Sequence, residues 1–194
     1  LYGFGTVSDN IIPQSAQDYR EYETNGYDPE KAKALLDEAG WDGSQTLRFY
    51  VNSGDSTFMN AANVMVAQWA AVGVKVEITT VDLNTLMSVA GGGDFDILAV
   101  QYTYPPVDPY VDINWLLGGE GSWTNYSDDS VSEALAATQA TSDVEELKNL
   151  YSIVDKKVQE DVPMFSAYII KTMAGVNKRL VGVEPSVYGF LNHV

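Results

Sequence analysis

The sequence predicts an α/β fold with a mainly parallel sheet flanked by helices, and three patterns support this prediction. Leu47, Phe49 and Val51 alternate with polar neighbours, as the residues of a half-buried strand do, and the alternation returns over residues 74–78. A helical face lies between these segments, so they form a strand–helix–strand unit whose strands should run parallel with a right-handed crossover. The continuous apolar run over residues 95–102 predicts a central strand covered on both faces.

Residues 27–41, with the sequence YDPEKAKALLDEAGW, carry the signals of a complete helix with both of its ends. Asp28 is suited to cap the first free amides, and Pro29 fits the first helical position, where no amide hydrogen is needed. Gly40 offers a left-handed stop, after which Trp41 folds back onto the last turn. The apolar stripe of this amphipathic helix comprises Ala32, Leu35, Leu36 and Ala39.

Two helices flank the second strand of the predicted unit. The first ends at Gly73, and its apolar face consists of Met59, Ala62, Val66, Trp69 and Ala70. The second is a short helix over residues 82–90, and the glycines at 91–93 release the chain into the apolar run. Because these glycines lie before a strand and not between a strand and a helix N-terminus, we do not expect a dinucleotide-binding loop.

Two more helices and a strand are predicted nearer the end of the chain. One helix has an apolar face made of Val131, Ala134, Leu135 and Thr138. Ser142 and Glu145 form a capping box for the next helix, which Pro163 ends. The stripe of that helix consists of Leu147, Leu150, Tyr151, Val154 and Val158. Residues 164–174 predict a last long strand.

The composition excludes several classes of function. The chain has 27 Asp and Glu against 11 Lys and Arg, and its net charge of −16 opposes nucleic acids and anionic lipid surfaces. The absence of cysteine removes thiol nucleophiles, disulfides and thiolate metal sites, and it fits an exported protein. His193 is the only histidine, so we expect neither a Ser-His-Asp triad nor a histidine-rich metal site. Asp128, Asp129 and Glu133 lack the spacing of a calcium loop, and no metal or cofactor is expected.

Six segments of the chain resemble, in order and at similar spacing, the blocks of one protein family. They read DEAGW, AQWAAVGVKVEI, GDFDILAVQY, VDPYVD, SWTNYSDDSVSEAL and LYSIVDKKVQEDVPMF. The family is that of the bacterial extracellular solute-binding proteins that serve oligopeptide, dipeptide and nickel ABC importers. The resemblance implies one lobe of a bilobal, type II periplasmic-binding-protein-like fold over residues 1–194. Within it, residues 1–26 would be an irregular lead-in, and residues 178–194 a tail that returns toward a missing second lobe.

The same resemblance implies a monomeric receptor that captures a peptide or other small-molecule ligand and delivers it to the permease subunits of an ABC importer. It would work in the periplasm or, through a lipid anchor outside this segment, on the outer face of the cell membrane. Three alternatives stay open. The same fold could bind an oligosaccharide or another uncharged solute, or it could sense peptides without transport. A pair of the many carboxylates could instead serve a hydrolase, but nothing marks any two of them as special, and we do not expect an enzyme.

The loop over residues 102–112, YTYPPVDPYVD, is the candidate functional segment, because ligands of open α/β sheets bind beyond the carboxyl ends of the strands. Its tyrosines offer rigid, amphipathic contact surface, and packing of Tyr104 and Tyr110 onto the loop itself is an equal alternative. Asp108 followed by Pro109 is typical of a turn. A polar turn after the first predicted strand should lie at the same end. The candidate ligand-binding residues are therefore Asn52, Ser53, Tyr102, Thr103, Tyr104 and Asp108.

This loop departs from the pattern of the family it resembles where the ligand's amine is held. Dipeptide and oligopeptide receptors commonly carry an acid three positions before the Asp-Pro pair, where this sequence has Pro105. Dipeptide receptors also place an arginine after the first strand, whereas residues 52–58 contain no base. We therefore expect a longer peptide held through its backbone, or else an uncharged solute stacked on Tyr102 and Tyr104. A shift of the alignment by a residue or two would give the amine role to Asp108.

Overall fold

The structure is a computed structural model that describes residues 3, 5–8, 10–14, 16, 19–21, 25–101, 109–119, 121–170 and 175–179. The chain divides into two compact units, a division that the sequence pattern did not predict. The sheet unit comprises Asn25–Thr103 and Trp115–Ser127, and the helical unit comprises Leu1–Thr24, Tyr104–Asn114 and Asp128–Val194. The single lobe over residues 1–194 stays a prediction.

Eleven helices and strands lie within the described residues. In chain order they are β1 (Gly5–Thr6), α1 (Pro29–Glu38), β2 (Thr46–Asn52), α2 (Ser56–Ala71), β3 (Lys75–Val81), α3 (Leu83–Gly92), β4 (Ile97–Leu98), α4 (Tyr110–Leu117), α5 (Asp129–Thr138), α6 (Val144–Asp161) and β5 (Ile169–Ile170). None of these helices combines the length and the apolar character that a membrane crossing requires.

The sheet unit contains a three-stranded parallel sheet in the order β3-β2-β4. Phe49 of β2 is paired with Ile78 on one side and Ile97 on the other, which confirms the predicted parallel strand–helix–strand unit. Among the described residues the prediction for the run over residues 95–102 was wrong in two respects, because β2 lies at the centre of the sheet and β4 is a strand over Ile97–Leu98 only. A continuous apolar run shows that both faces of a strand avoid water, but it does not determine how many neighbours the strand has.

The core of the sheet unit lies between β2 and α2. Phe49 and Val51 are buried on one face of β2, and Ala62 is buried on the facing side of α2. The rings of Phe49 and Trp69 meet edge to face, with centroids 5.8 Å apart. This packing confirms the predicted apolar face of the helix at Met59, Ala62, Val66 and Trp69, whereas Ala70 is exposed.

Helix α1 has the predicted ends but not the predicted burial. Asp28 Oδ1 accepts from the amides of Glu30 and Lys31, and Gly40 has φ +70°. The amide of Trp41 then donates to the Leu36 carbonyl at 2.9 Å, which completes a Schellman motif. The apolar stripe is nevertheless unburied in the described residues, since α1 contributes no buried side chain to the core. Capping is a local property, whereas burial needs a second surface.

Helix α3 extends further than its pattern predicted. Gly91 and Gly92 continue the helix, and only Gly93, with φ +68°, ends it in the left-handed conformation. The glycines at 91 and 92 therefore do not form the predicted connector. Glycine is unfavourable inside a helix but does not forbid it, so a run of glycines locates a helix end only to within a turn.

Helices α5 and α6 pack against each other in the helical unit. The predicted face of α5 is confirmed, because Val131, Ala134, Leu135 and Thr138 are all buried. On α6, Tyr151, Val154 and Val158 are buried as the predicted stripe requires, together with Asp155.

The predicted capping box of α6 was misplaced by one residue. The cap is Asp143, whose Oδ1 accepts from the amide of Glu146 at 2.9 Å, and not Ser142. Glu145 is engaged elsewhere, in ion pairs with Arg20 at 3.2 Å and Lys148 at 2.8 Å. An aspartate and a serine side by side are both competent caps, so the preference between them depends on the surrounding contacts.

Segments far apart in the chain meet against α6. The buried carboxylate of Asp155 accepts from the amide of Ile11 at 3.0 Å, and Gln159 Nε2 donates to Asn10 Oδ1 at 2.7 Å. Strands β1 and β5 form a two-stranded antiparallel ribbon. Of the long strand predicted over residues 164–174, only Ile169–Ile170 is a strand among the described residues. Residues 180–194 of the predicted tail lie outside them.

Candidate functional site

The carboxyl ends of the parallel strands form one edge of the sheet unit, and two candidate residues lie there. The Ser53 amide donates to the Val81 carbonyl at 2.8 Å, which continues the pairing of β2 with β3. The Ala99 amide donates to the Tyr50 carbonyl at 3.0 Å, which extends the pairing with β4. Residues 52–55, 81–82 and 99–101 make up this carboxyl edge.

Asn52 builds the turn at the centre of the carboxyl edge. Its Oδ1 accepts from the Gly54 amide at 3.0 Å, and its carbonyl accepts from the Asp55 amide at 3.4 Å. This is the geometry by which an asparagine side chain mimics a turn of the backbone. Ser53 is exposed beside it. The turn therefore offers a ligand a serine side chain and backbone groups, while the side-chain oxygen of Asn52 has a structural role.

Both helices that start from the carboxyl edge are capped by their own carboxylates. Asp55 Oδ1 accepts from the Thr57 amide at 2.8 Å at the start of α2. Asp82 Oδ1 accepts from the Asn84 amide at 3.0 Å at the start of α3, and its Oδ2 accepts from the Thr85 hydroxyl at 2.6 Å. That hydroxyl, followed by the Thr85 amide, holds the pKa of Asp82 below its usual value. The positive ends of these two helix dipoles are thus neutralised internally, and they are poor sites for a ligand's anion.

The carboxyl edge contains no Lys or Arg, and the arginine of the sheet unit is engaged near the other end of the strands. Arg48 Nη1 lies 2.6 Å from Asp94 Oδ1, and Arg48 Nε lies 3.1 Å from Asp96 Oδ2. Arg48 donates hydrogen bonds to both carboxylates, and these bonds, the one to Asp96 more than the one to Asp94, raise the pKa of Arg48. The hydrogen bonds from Arg48 also lower the pKa of Asp96. The arrangement ties β2 to the start of β4, and it leaves the carboxyl edge without a cation for a ligand's carboxylate.

The remaining candidate residues, Tyr102, Thr103, Tyr104 and Asp108, lie outside the described residues, so their roles stay predictions. The predicted loop over residues 102–112 ends earlier than expected, because α4 begins at Tyr110 and takes in Asp112. Within the described part of the chain, no group of three or more His, Cys, Asp or Glu side chains is arranged to hold a metal ion.

The candidate residues predicted from the sequence did not include an aromatic pair that lies in the sheet unit. The rings of Trp115 and Trp123 lie 4.1 Å apart between centroids, tilted by 51°. Trp115 is 49% exposed although it has this partner. The signal in the sequence is a pair of tryptophans on either side of a glycine-rich segment.

A tight turn holds the second tryptophan against the first. The Ser122 amide donates to the Gly119 carbonyl at 3.0 Å, and Thr124 Oγ1 donates to the Leu116 carbonyl at 2.6 Å. Gly119 and Gly121 have φ of +93° and +87°, which side chains with a Cβ rarely adopt. The pair is therefore positioned by the backbone of the turn and not by burial of both rings.

The fold of this chain is shared with solved structures that are described as periplasmic binding proteins. HbpA2 from Haemophilus parasuis has the same fold over 98% of this chain and 39% of its own, with a TM-score of 0.81 and 23% identity. A dipeptide-binding protein from Pseudoalteromonas in complex with Met-Leu gives a TM-score of 0.79 at 20% identity, over 87% of this chain and 35% of its own. The predicted α/β fold class is confirmed.

Residues 1–124 match the model of the bacterial extracellular solute-binding proteins, family 5 middle region, and the chain belongs to that family. The glutathione-binding protein GsiB of Pectobacterium atrosepticum is 26% identical over 191 residues, which is 93% of this chain. The chain spans about 37% of the length of that relative. Family membership confirms the predicted resemblance to the bacterial extracellular solute-binding proteins, a family of binding proteins and not of enzymes.

Proposed function

We propose that the protein containing this chain is the substrate-binding component of an ABC importer that captures peptides outside the cytoplasm and delivers them to a membrane permease. The observation that carries this proposal is the match of residues 1–124 to the family 5 solute-binding proteins. The relatives support a peptide, since one is named for binding glutathione, itself a tripeptide, and another was solved with Met-Leu. A peptide sensor that does not transport would use the same site.

The preferred ligand is a peptide longer than a dipeptide, held mainly through its backbone. The support is the carboxyl edge, where the starts of α2 and α3 are capped by Asp55 and Asp82 and no base is present. A dipeptide depends on both of its charged ends, and each charge-assisted hydrogen bond that the site does not make withholds roughly 1.5 to 3 kcal/mol. A longer peptide gains backbone hydrogen bonds in their place, as an added strand does.

The ligand would be enclosed by closure of this part of the protein against a second lobe. Closure is a hinge motion that the ligand favours through contacts available only in the closed state. Ser53 and the backbone at Asn52 would contact the peptide together with Tyr102, Thr103, Tyr104 and Asp108. A monomeric receptor, free in the periplasm or lipid-anchored outside the membrane, completes the proposal. An uncharged oligosaccharide stacked on Tyr102 and Tyr104 is the second candidate ligand.

Calorimetry with one hexapeptide, its N-acetylated form and a dipeptide tests the mode of binding. We expect the full-length protein to bind both hexapeptides with similar affinity and the dipeptide more weakly. A loss of a hundredfold or more on acetylation, about 2.7 kcal/mol, would show that an acid such as Asp108 does hold the amine. Failure to bind any peptide would contradict the peptide assignment and favour the oligosaccharide.

A substitution at the carboxyl edge tests where the ligand binds. Ser53→Arg adds a base to this edge, so it should strengthen binding of peptides whose free carboxylate reaches it. Ser44→Arg is the matched control, because Ser44 is also exposed but lies before the start of β2. Equal effects of the two substitutions would mean that the carboxyl edge does not face the ligand.

A further inference from the structure

Trp115 differs from the other tryptophans of the chain in having a large exposed surface without an evident structural reason. The chain has four tryptophans. Trp69 packs on Phe49, and Trp41 donates its ring N–H to the Gly73 carbonyl at 3.3 Å. Trp123 is half-buried, whereas Trp115 remains 49% exposed beside it. A large aromatic ring is normally buried for its hydrophobic contribution, so an exposed ring that a turn holds in place suggests a contact surface.

The excess of carboxylates in the sheet unit favours a cation as the occupant of this pair. The segment Trp115–Ser127 contains Glu120 and neither Lys nor Arg, so no cation from the segment itself can stack on the rings. Elsewhere in the sheet unit the bases are Lys31, Lys33, Arg48 and Lys75, against ten Asp and Glu. Of these, Arg48 and Lys33 already pair with carboxylates. An incoming cation would therefore approach a unit with an excess of carboxylates and a half-exposed indole ring.

We propose that the Trp115–Trp123 pair binds the guanidinium group of an arginine side chain in a peptide ligand, a proposal that rests on the peptide-binding function proposed above. The face of an indole ring carries the negative part of its quadrupole, and tryptophan is the strongest aromatic partner for cations. A guanidinium is planar and weakly hydrated, so it stacks on such a face at a smaller desolvation cost than an ammonium does. Trp123 holds the Trp115 ring in place, so little side-chain entropy is lost on binding.

The test compares two hexapeptides that differ at one position, arginine or citrulline, which has nearly the same shape without the charge. Calorimetry on the full-length protein should show that the arginine peptide binds about tenfold more tightly. Trp115→Ala should abolish this difference, and Trp115→Phe should retain part of it. Val111→Ala is the control, since Val111 is an exposed residue of the same helix α4, and it should leave the tenfold difference unchanged.

Each outcome bears on the proposal in a defined way. Equal affinity of the wild-type protein for the two peptides would overturn the arginine site and leave the peptide-binding function standing. A difference that survives Trp115→Phe and Trp115→Ala would place the arginine elsewhere and also overturn it. If the wild-type protein bound neither peptide, both the proposed function and this inference would fail. Because Trp115→Phe keeps an aromatic ring, it provides an answer even if Trp115→Ala perturbs folding.

Discussion

Aspartate is the residue that begins the helices of this chain. Five helices have an aspartate cap whose side chain accepts from backbone amides, and the caps are Asp28, Asp55, Asp82, Asp128 and Asp143. A carboxylate at this position satisfies the free amides and also interacts favourably with the helix dipole. Part of the negative charge of the chain is therefore structural, and at Asp82 and Asp128, whose pKa values hydrogen bonds lower, folding should depend on ionisation of the carboxylate.

Asp128 allows this dependence to be measured. The Ser130 hydroxyl, the Val131 amide and Lys157 lower the pKa of Asp128 to about 2. Because the folded-state value lies below the unfolded value of about 3.9, the ionised group stabilises the fold fully above that value. This contribution is lost as the pH falls through the folded-state value. We expect Asp128→Ala to lower the Tm at pH 7, and the difference from wild type to shrink between pH 4 and pH 2.

Asp129→Ala is the control for this experiment. Asp129 is the exposed neighbour of Asp128 in the first turn of α5. Among the described contacts at this end of the helix, the Val131 amide donates to the side chain of Asp128 and not to that of Asp129. Its replacement should have a much smaller effect. A Tm difference for Asp128→Ala that stayed constant across this pH range would show that its ionisation is not what matters.

At the scale of single elements, a comparison of α1 with α5 shows that a helix can form without packing its apolar face. Each of these helices has a predicted apolar face that includes a leucine. Leu135 of α5 is nevertheless 1% exposed, whereas Leu35 of α1 is 55% exposed. Leu135→Ala should therefore lower the free energy of unfolding by about 2 to 5 kcal/mol. Leu35→Ala should change it by less than about 0.5 kcal/mol. Urea unfolding of the 194-residue chain measures both, and equal losses would contradict the exposure of α1.

Two glycines, one just beyond a helix and one inside a helix, test the assignment of helix ends. Gly40 has φ +70° beyond the end of α1, so Gly40→Ala should cost about 1 kcal/mol in the free energy of unfolding. Gly91 lies inside α3, and a Cβ added there meets no atom within 4 Å. Gly91→Ala should therefore stabilise the chain by about 0.5 to 1 kcal/mol, since alanine favours helix. If both substitutions destabilised the chain, the helical conformation of Gly91 would be wrong.

At the scale of the whole molecule, the chain spans about 37% of the length of a relative and divides into two compact units. If the ligand is enclosed between this segment and a second lobe, the 194-residue chain provides only part of the contacts and none of the closure. We expect it to bind a hexapeptide at least a hundredfold more weakly than the full-length protein, about 2.7 kcal/mol, by calorimetry on both. Equal affinities would mean that the site lies wholly within residues 1–194.

The sequence by itself determined the local features of this protein. Asp28 and Gly40 delimit α1 because a cap and a left-handed stop involve only residues within a turn of each other. The alternation at Phe49 and Val51 identified a strand with one buried face, because side chains of a strand alternate whatever its neighbours are. The resemblance to a family of solute-binding proteins also came from the sequence alone, and the family match confirmed it.

Only the tertiary structure decided which surfaces meet. Strand β2 is central because it pairs with β3 on one side and with β4 on the other. The paired residues Phe49 and Ile97 are more than 40 residues apart along the chain. The contact between the tilted rings of Trp115 and Trp123 likewise depends on a turn whose geometry the periodicity of the sequence does not predict. Contacts between distant segments are selected by the free energy of burying surfaces together, and that energy is a property of the pair and not of either segment alone.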